Sequence, residues 1–279
     1  MTNPEPFIYV LDIDGTVIGD ITYQVAEWEI LKLVDPRKLK VFKQNLIDHL
    51  RSGLLRPQLA DFIMHLKTIN SNSEFFMYTA SDDKWAQFLV PCIEAACNVK
   101  FARPIFSRKH CIFTGHRCMK SLSKISNAVY NKVKSKMGFK KPAHVLEHMI
   151  LIDNNNVLLD KEARRGIICP SYNYKQPYDV LRTVDLKLLH DNMYTVSKVL
   201  AKYDLIDDKM VNSKYSSFQI LAAYYGEFAN RLNHLSKSSS AIDYESKDKF
   251  WMKLANAIIA LQQKKVSKDT IVKYVNSKF

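Results

Sequence analysis

Residues 7–11 form an apolar run rich in β-branched and aromatic side chains, and the chain passes straight from it into Asp12-Ile13-Asp14-Gly15-Thr16. Such a run reads as a buried parallel strand. Two acids, a glycine and a hydroxyl at its end put carboxylates where backbone must turn tightly. In an open α/β sheet, the carboxyl end of a strand is where ligands bind. Burying two nearby carboxylates is costly unless a proton or a cation compensates. The competing reading, a surface Asp-Gly turn, is disfavoured because the apolar strand leads directly into the acids.

The pattern repeats along the chain. Glu74 to Tyr78 reads as a second strand ending at Thr79-Ala80-Ser81, and Met149 to Ile152 as another ending at Asp153-Asn154. Gly166 to Cys169 is a further strand. Ile105-Phe106 and Cys111-Ile112-Phe113 read as short strands joined by a basic turn. Between them lie helical stretches: 23–50, interrupted at Asp35-Pro36; a helix whose first turn holds Pro57; and Lys84 to Cys97. Strands alternating with helices favour a doubly wound, mostly parallel sheet. Beyond about residue 185 the pattern becomes purely helical. Leu188 to Leu200, Phe218 to Leu232, and Trp251 to Leu261 show apolar spacings of three and four, a polar stretch from His234 to Ser240 interrupts them, and Val272 and Val275 fit a last short helix. The expected organisation is therefore an α/β domain over 1–185 and a helical C-terminal extension over 186–279, suited to binding a partner.

Composition narrows the function classes. With 279 residues and 47% hydrophobic content, the chain can bury a large core. No apolar run approaches the ~20 residues that span a bilayer, and the N-terminus lacks a secretory pattern. These features point to an intracellular protein of the cytoplasm or nucleus. The five cysteines, an odd number, read as free thiols. The net charge is +13. The excess is concentrated in residues 103–141, which carry eleven Lys or Arg and no Asp or Glu. That block suits a nucleic acid or an acidic partner.

Three strand ends thus offer polar residues able to converge: Asp12 and Asp14, Thr79 and Ser81, Asp153 and Asn154. A hard divalent cation such as Mg²⁺ prefers oxygen ligands and recruits carboxylates together with substrate phosphate. Lys120, in the connecting region, can neutralise a phosphoryl oxygen. Together these are the parts phosphoryl transfer requires. Duller roles compete: Thr79 as the cap of the following helix, Lys120 as one more surface lysine, Asp153 as a plain strand end.

Taken in order, these segments resemble the haloacid dehalogenase-like superfamily, whose first motif is Asp-x-Asp-x-Thr. The nearest likeness is to its phosphatases of the RNA polymerase II C-terminal domain, the NLI-interacting-factor-like group. Arg56-Pro57, Tyr78-Thr79-Ala80-Ser81, the Phe106–Cys111 segment, Met119-Lys120-Ser121 and Leu151-Ile152-Asp153-Asn154 carry the resemblance over about residues 7–185. It implies a fold without a large cap. It also implies a phosphoric monoester hydrolase acting on phosphoserine or phosphothreonine of a phosphorylated protein or peptide, through an aspartyl-phosphate. Asp12 would be the nucleophile and Asp14 the acid and base, with Thr79 and Lys120 binding the phosphoryl group. Asp12, Asp153 and the carbonyl of Asp14 would hold Mg²⁺, and Thr16, Ser81, Arg108 and Asn154 would line the substrate or support these groups. Two departures loosen the tie to the polymerase branch: Gly15 where that branch usually has Glu, and Asn155-Asn156 where it has Ser-Pro. A nucleic-acid 3′-end or nucleotide phosphatase is the second reading. A structural or scaffold protein on a phosphatase-like domain, of the kind large DNA viruses place in virions, is the third.

Overall fold

Strand pairing brings the acidic ends to one edge of a sheet. The structure is a computed structural model that describes residues 6–212, 214–235 and 247–278. In chain order its elements begin β1 (Ile8–Leu11), α1 (Thr22–Val34), α2 (Leu39–His49), α3 (Leu59–Ile69), β2 (Glu74–Met77) and α4 (Asp83–Cys97). Then come β3 (Ile112–Thr114), β4 (Arg117–Met119), α5 (Leu122–Met137), α6 (Pro142–His148), β5 (Met149–Asp153) and β6 (Gly166–Ile168). The rest is helical: α7 (Leu186–Asp191), α8 (Met193–Lys202), α9 (Ser217–Leu235), α10 (Phe250–Gln263) and α11 (Lys268–Asn276). Part of the expected polar stretch, 236–240, lies outside the described residues.

The main sheet is β2-β1-β5-β6, parallel throughout, with Ile8 opposite both Glu74 and Met149. All four residues of β1 are fully buried, as a central parallel strand covered on both faces requires. Alternate side chains serve opposite faces. Ile8, Val10, Phe76, Met149 and Leu151 pack with Leu122, Ile125, Val129 and Val133, the apolar stripe of α5. On the other face Tyr9 stacks on Phe75 at 5.0 Å, and Phe62 of α3 meets Trp251 of α10 at 4.7 Å. Burying one such side chain contributes about 1.5–3 kcal/mol relative to leaving it in water.

By contacts, the chain falls into two units that are discontinuous in sequence. The first holds the described residues of Met1–Gly19, Leu55–Asn173 and Glu245–Phe279; the second holds those of Asp20–Leu54 and Tyr174–Tyr244. The division drawn from the sequence at residue 185 is linear, whereas α10 and α11 group with the sheet and α7 to α9 group with α1 and α2. In the second unit Glu27 of α1 is buried and accepts hydrogen bonds from Tyr178 Oη and from Thr183 Oγ1 (2.6 Å). Burial pushes its carboxyl above the usual range, against the pull of these two hydroxyls. Among the described residues, no helix is long and apolar enough to cross a membrane.

Two local expectations fail. Phe106 does not pair with the 111–113 segment. It forms a parallel bridge to Tyr78, with Phe106 N donating to Met77 O (2.9 Å) and Thr79 N to Phe106 O (3.0 Å). The hairpin is β3–β4 instead, turning at Gly115 with φ 59°, a positive φ that short hairpin turns favour and glycine accepts cheaply. Pro57 also precedes its helix rather than opening it: Gln58 sits at φ 67° and α3 begins at Leu59.

Candidate active site

Each acidic residue sits where a strand gives way to a turn. Asp12 leaves β1, its N–H bonded to Ile152 O of the neighbouring strand at 2.9 Å. The chain then bends through Gly15 (φ 75°), and Val17 and Ile18 N–H groups return to Ile13 O. Asp153 is the last residue of β5. Because β1, β2 and β5 run parallel in register, Asp12, Thr79 and Asp153 emerge together at their carboxyl ends.

Lys120 arrives from outside the sheet. It follows β4 and precedes α5, and its N–H bonds to Val157 O at 2.7 Å. Ser121 caps α5 by accepting from Lys124 N. Buried Glu162 accepts from Leu122 N (2.7 Å) and Ser123 N (3.1 Å), a carboxylate where a helix N-terminus favours negative charge. Held at both ends, the 2%-exposed Lys120 side chain runs inward, where its Nζ donates to Asp12 Oδ1 and to Asp153 Oδ2 (2.7 Å). It is a buried ion cluster and not a surface lysine. Burial alone would lower the ammonium's pKa, but the Asp12 and Asp153 carboxylates outweigh it and hold the group above its ordinary value. Asp12 is pushed up to about 7, by burial above all and by the Asp153 and Asp14 carboxylates, against the pull of Lys120.

Asp14 has different surroundings. Its Oδ2 accepts from Thr79 Oγ1 (3.1 Å) and Ser81 Oγ (2.9 Å), and Ser81 N donates to Thr79 Oγ1 at 3.0 Å. Thr79 is not the cap of α4. Asp82 takes that position, accepting from Lys84 N and Trp85 N. Thr16 Oγ1 accepts from Asn154 N (2.9 Å) and donates to Asn154 Oδ1 (3.2 Å), so the first and third acidic turns are stitched together. Arg108 stays exposed; its Nε reaches Ala80 O at 2.7 Å and its N–H reaches Ser81 O at 3.0 Å, which fixes it to the Thr79–Ser81 turn.

All nine residues picked out from the sequence therefore lie in the sheet-bearing unit, and eight are joined through Lys120, Thr79, Ser81 and Thr16. Sequence reasoning did not single out Ser171, which accepts from Asn154 Nδ2 at 3.0 Å. Its place just past the end of β6 was the available signal. The five cysteines are free. Among the described residues, no group of three or more His, Cys, Asp and Glu side chains is gathered as a metal cage. Mg²⁺ does not require one, since it commonly takes one or two carboxylates plus water and phosphate. Asp12 and Asp153, already converging on one ammonium, form an all-oxygen pair that fits it.

The parallel sheet with acids at its strand ends is consistent with the α/β fold of the haloacid dehalogenase-like superfamily. The sequence model of the NLI interacting factor-like phosphatase family matches residues 7–200, and the chain belongs to that family. No curated protein sequence matches it. Among solved structures it is similar to Fcp1, an essential RNA polymerase II CTD phosphatase, with 13% identity and a TM-score of 0.46 over 93% of this chain and 63% of that one. It is also similar to a fission yeast Fcp1 variant bound to beryllium fluoride, with 12% identity and a TM-score of 0.43 over 96% of this chain and 70% of that one. Family membership rests on the match over 7–200, not on these two likenesses.

Proposed function

We propose that this member of a phosphatase family is a Mg²⁺-dependent hydrolase of phosphoserine and phosphothreonine in proteins. The observation that carries the reading is the unlike settings of Asp12 and Asp14. Asp12 lies against the Lys120 ammonium, which Asp153 holds from its other side, as a nucleophile poised beside a cation would. Asp14 is cradled by two hydroxyls, able to gain and lose a proton. Asp12 attacks phosphorus while the ester P–O bond breaks, and the departing serine or threonine oxygen takes the proton of Asp14. Asp14, now a carboxylate, removes a proton from water as that water attacks the aspartyl-phosphate, releasing phosphate and restoring Asp12. Splitting the transfer in two lowers each barrier. Thr79 and Lys120 hold the phosphoryl oxygens, and Asn154 and Thr16 hold the turn that carries Asp153. Asp12 and Asp153 would hold Mg²⁺, with the carbonyl of Asp14 as the further ligand the resemblance implies, and the ion would supply charge neutralisation for the phosphoryl group.

One feature favours a protein substrate: the family is named for an interacting protein. The exposed lysines of 132–141 also suit a nucleic-acid phosphate, so the test must compare the two. Purified chain is given phosphopeptides, nucleotides and 3′-phosphorylated DNA, each with Mg²⁺ and with chelator. The expected result is Mg²⁺-dependent release of phosphate from peptides, falling to background in Asp12→Asn. Activity confined to nucleic-acid ends refutes the protein-substrate reading. Inactivity toward all three, without metal binding, supports a structural protein.

A further inference from the structure

Arg56 is almost fully buried, at 2% exposure, and its contacts cross from the acidic turn to the C-terminal segment. Its Nη1 donates to Pro170 O (2.9 Å) and lies 3.5 Å from Thr16 O and 3.7 Å from Cys169 Sγ. Its backbone N–H bonds to Val17 O at 2.9 Å. On the other side Nε pairs with Asp248 Oδ2 at 2.9 Å, and the guanidinium lies over the Phe250 ring at 4.4 Å. Asp248 uses its second oxygen too: Oδ1 accepts from Phe250 N at 3.0 Å, at the start of α10. One carboxylate thus fastens the beginning of α10 to the side chain that braces the Thr16 turn. Thr16 in turn holds Asn154, next to Asp153. Asp248 stands well beyond residue 200, where the family match ends.

We propose that Asp248 and Arg56 form a latch through which the C-terminal segment positions the Asp12–Thr16 turn, so that residues from 247 onward are a working part of the phosphatase and not an appendage. The proposal rests on the phosphatase reading for its consequence in turnover. A buried guanidinium that loses its carboxylate must find another partner, and the partners within reach are the carbonyls of the acidic turns. A displacement of about 1 Å there suffices to cost up to about 100-fold in rate. Arg56 and Asp248 are positioning residues: neither touches the reacting atoms.

The test uses the whole chain, p-nitrophenyl phosphate with Mg²⁺, and hydrogen exchange at three places: the Asn154 amide, bonded to Thr16 Oγ1, the Tyr172 amide, bonded to Gly15 O at 2.8 Å, and the amides of α5. Asp248→Asn is expected to lower kcat by about ten- to 100-fold with KM within about twofold. Exchange should quicken at Asn154 and Tyr172 and stay unchanged in α5. Asp248→Glu, which keeps the charge, should recover most of kcat. Quickened exchange at Asn154 and Tyr172 in a chain whose wild type has no turnover retires the phosphatase reading and keeps the latch. Wild-type kcat and wild-type exchange in Asp248→Asn overturn the latch. So does a loss of protection that includes α5 and is equal in Asp248→Asn and Asp248→Glu, because Asp248 is then only a stability residue.

Discussion

Gly15→Ala tests whether the Asp14–Thr16 turn and the Asn154 side chain were fitted to one another. Gly15 has φ 75°, where an L-residue costs about 1–2 kcal/mol. A Cβ at this position would lie 2.6 Å from Asn154 Nδ2 and 3.1 Å from Asn154 Cγ. Asn154 cannot swing away freely: Nδ2 donates to Ser171 Oγ (3.0 Å), and Oδ1 accepts from Thr16 Oγ1 (3.2 Å) and Asn155 Nδ2 (3.0 Å). Moving it forfeits one or two hydrogen bonds at about 1 kcal/mol each. Stiffening the unfolded chain returns about 0.4–1 kcal/mol. The expected net loss is about 1.5–3 kcal/mol, read as the shift of the urea unfolding midpoint multiplied by the m-value. In an Asn154→Ala background the collision disappears and only the φ strain remains. The same Gly15→Ala change should then cost about 1 kcal/mol, giving a coupling of the size expected for touching residues. Equal losses in the two backgrounds, or a loss below about 0.5 kcal/mol, the scale of an ordinary surface change, would refute the reasoning.

Lys120→Met leaves Asp12 and Asp153 facing each other without their shared ammonium, and should destabilise the chain by about 3–5 kcal/mol in chelator. Millimolar Mg²⁺ should raise the melting temperature of that variant more than that of wild type, and equal shifts would show that lysine and metal do not share the carboxylates. Glu27, with a carboxyl raised by burial, binds its proton more tightly folded than unfolded. Its contribution is therefore full at low pH and is lost as pH rises from the ordinary carboxyl range through the raised folded value. Urea midpoints between pH 4 and pH 8 should fall less in Glu27→Gln than in wild type; parallel profiles would contradict the assignment.

The strands were legible because parallel strands buried on both faces must be continuous apolar runs, and Phe7–Leu11 and Met149–Ile152 are such runs. The helices after residue 185 were legible for the same reason at a different period. What periodicity reports is which face is apolar, not what covers it. Nothing in the stripe of Trp251, Leu254 and Ile258 says that it lies on α3 while the stripe of α9 belongs to the other unit. The Arg56–Asp248 pair joins residues 192 apart in sequence, and an acid just before a helix reads as a cap, although the cap position here is Lys249 and Asp248 accepts only from Phe250 N. Phe106 was misassigned because its partner, Tyr78, is distant in the chain, whereas the nearer 111–113 segment offered an equally good local pattern. Among eleven basic residues in one block, Lys120 stood out by its place in the connecting region and by resemblance; its burial between two acids depends on the β3–β4 hairpin and on Glu162, which accepts from the first N–H groups of α5.

The charge balance of the site bears on its chemistry independently of any resemblance. Asp12 and Asp153 share one cation, Lys120, and Asp14 stands near enough to Asp12 to raise its carboxyl, so with all three ionised the cluster carries a formal excess of two negative charges. A phosphate monoester, itself an anion, would be repelled by that cluster, and in a buried setting the repulsion is weakly screened. Two remedies are available. A proton can reside on one acid, in keeping with the upward shift of Asp12, but a protonated Asp12 is no nucleophile. A divalent cation cancels the excess, keeps Asp12 ionised and leaves a neutral site for the phosphoryl group to enter. Substituting Asp153→Asn removes one of the two excess charges along with one proposed ligand. If charge balance governs the site, this variant should need far more Mg²⁺ for half-maximal turnover while its metal-free form becomes more stable than wild type, because the remaining ion pair has lost a competing anion. Opposite movement of these two readouts is the signature to look for in titration and in urea unfolding. A variant with unchanged Mg²⁺ dependence would show that Asp153 holds Lys120 and nothing else.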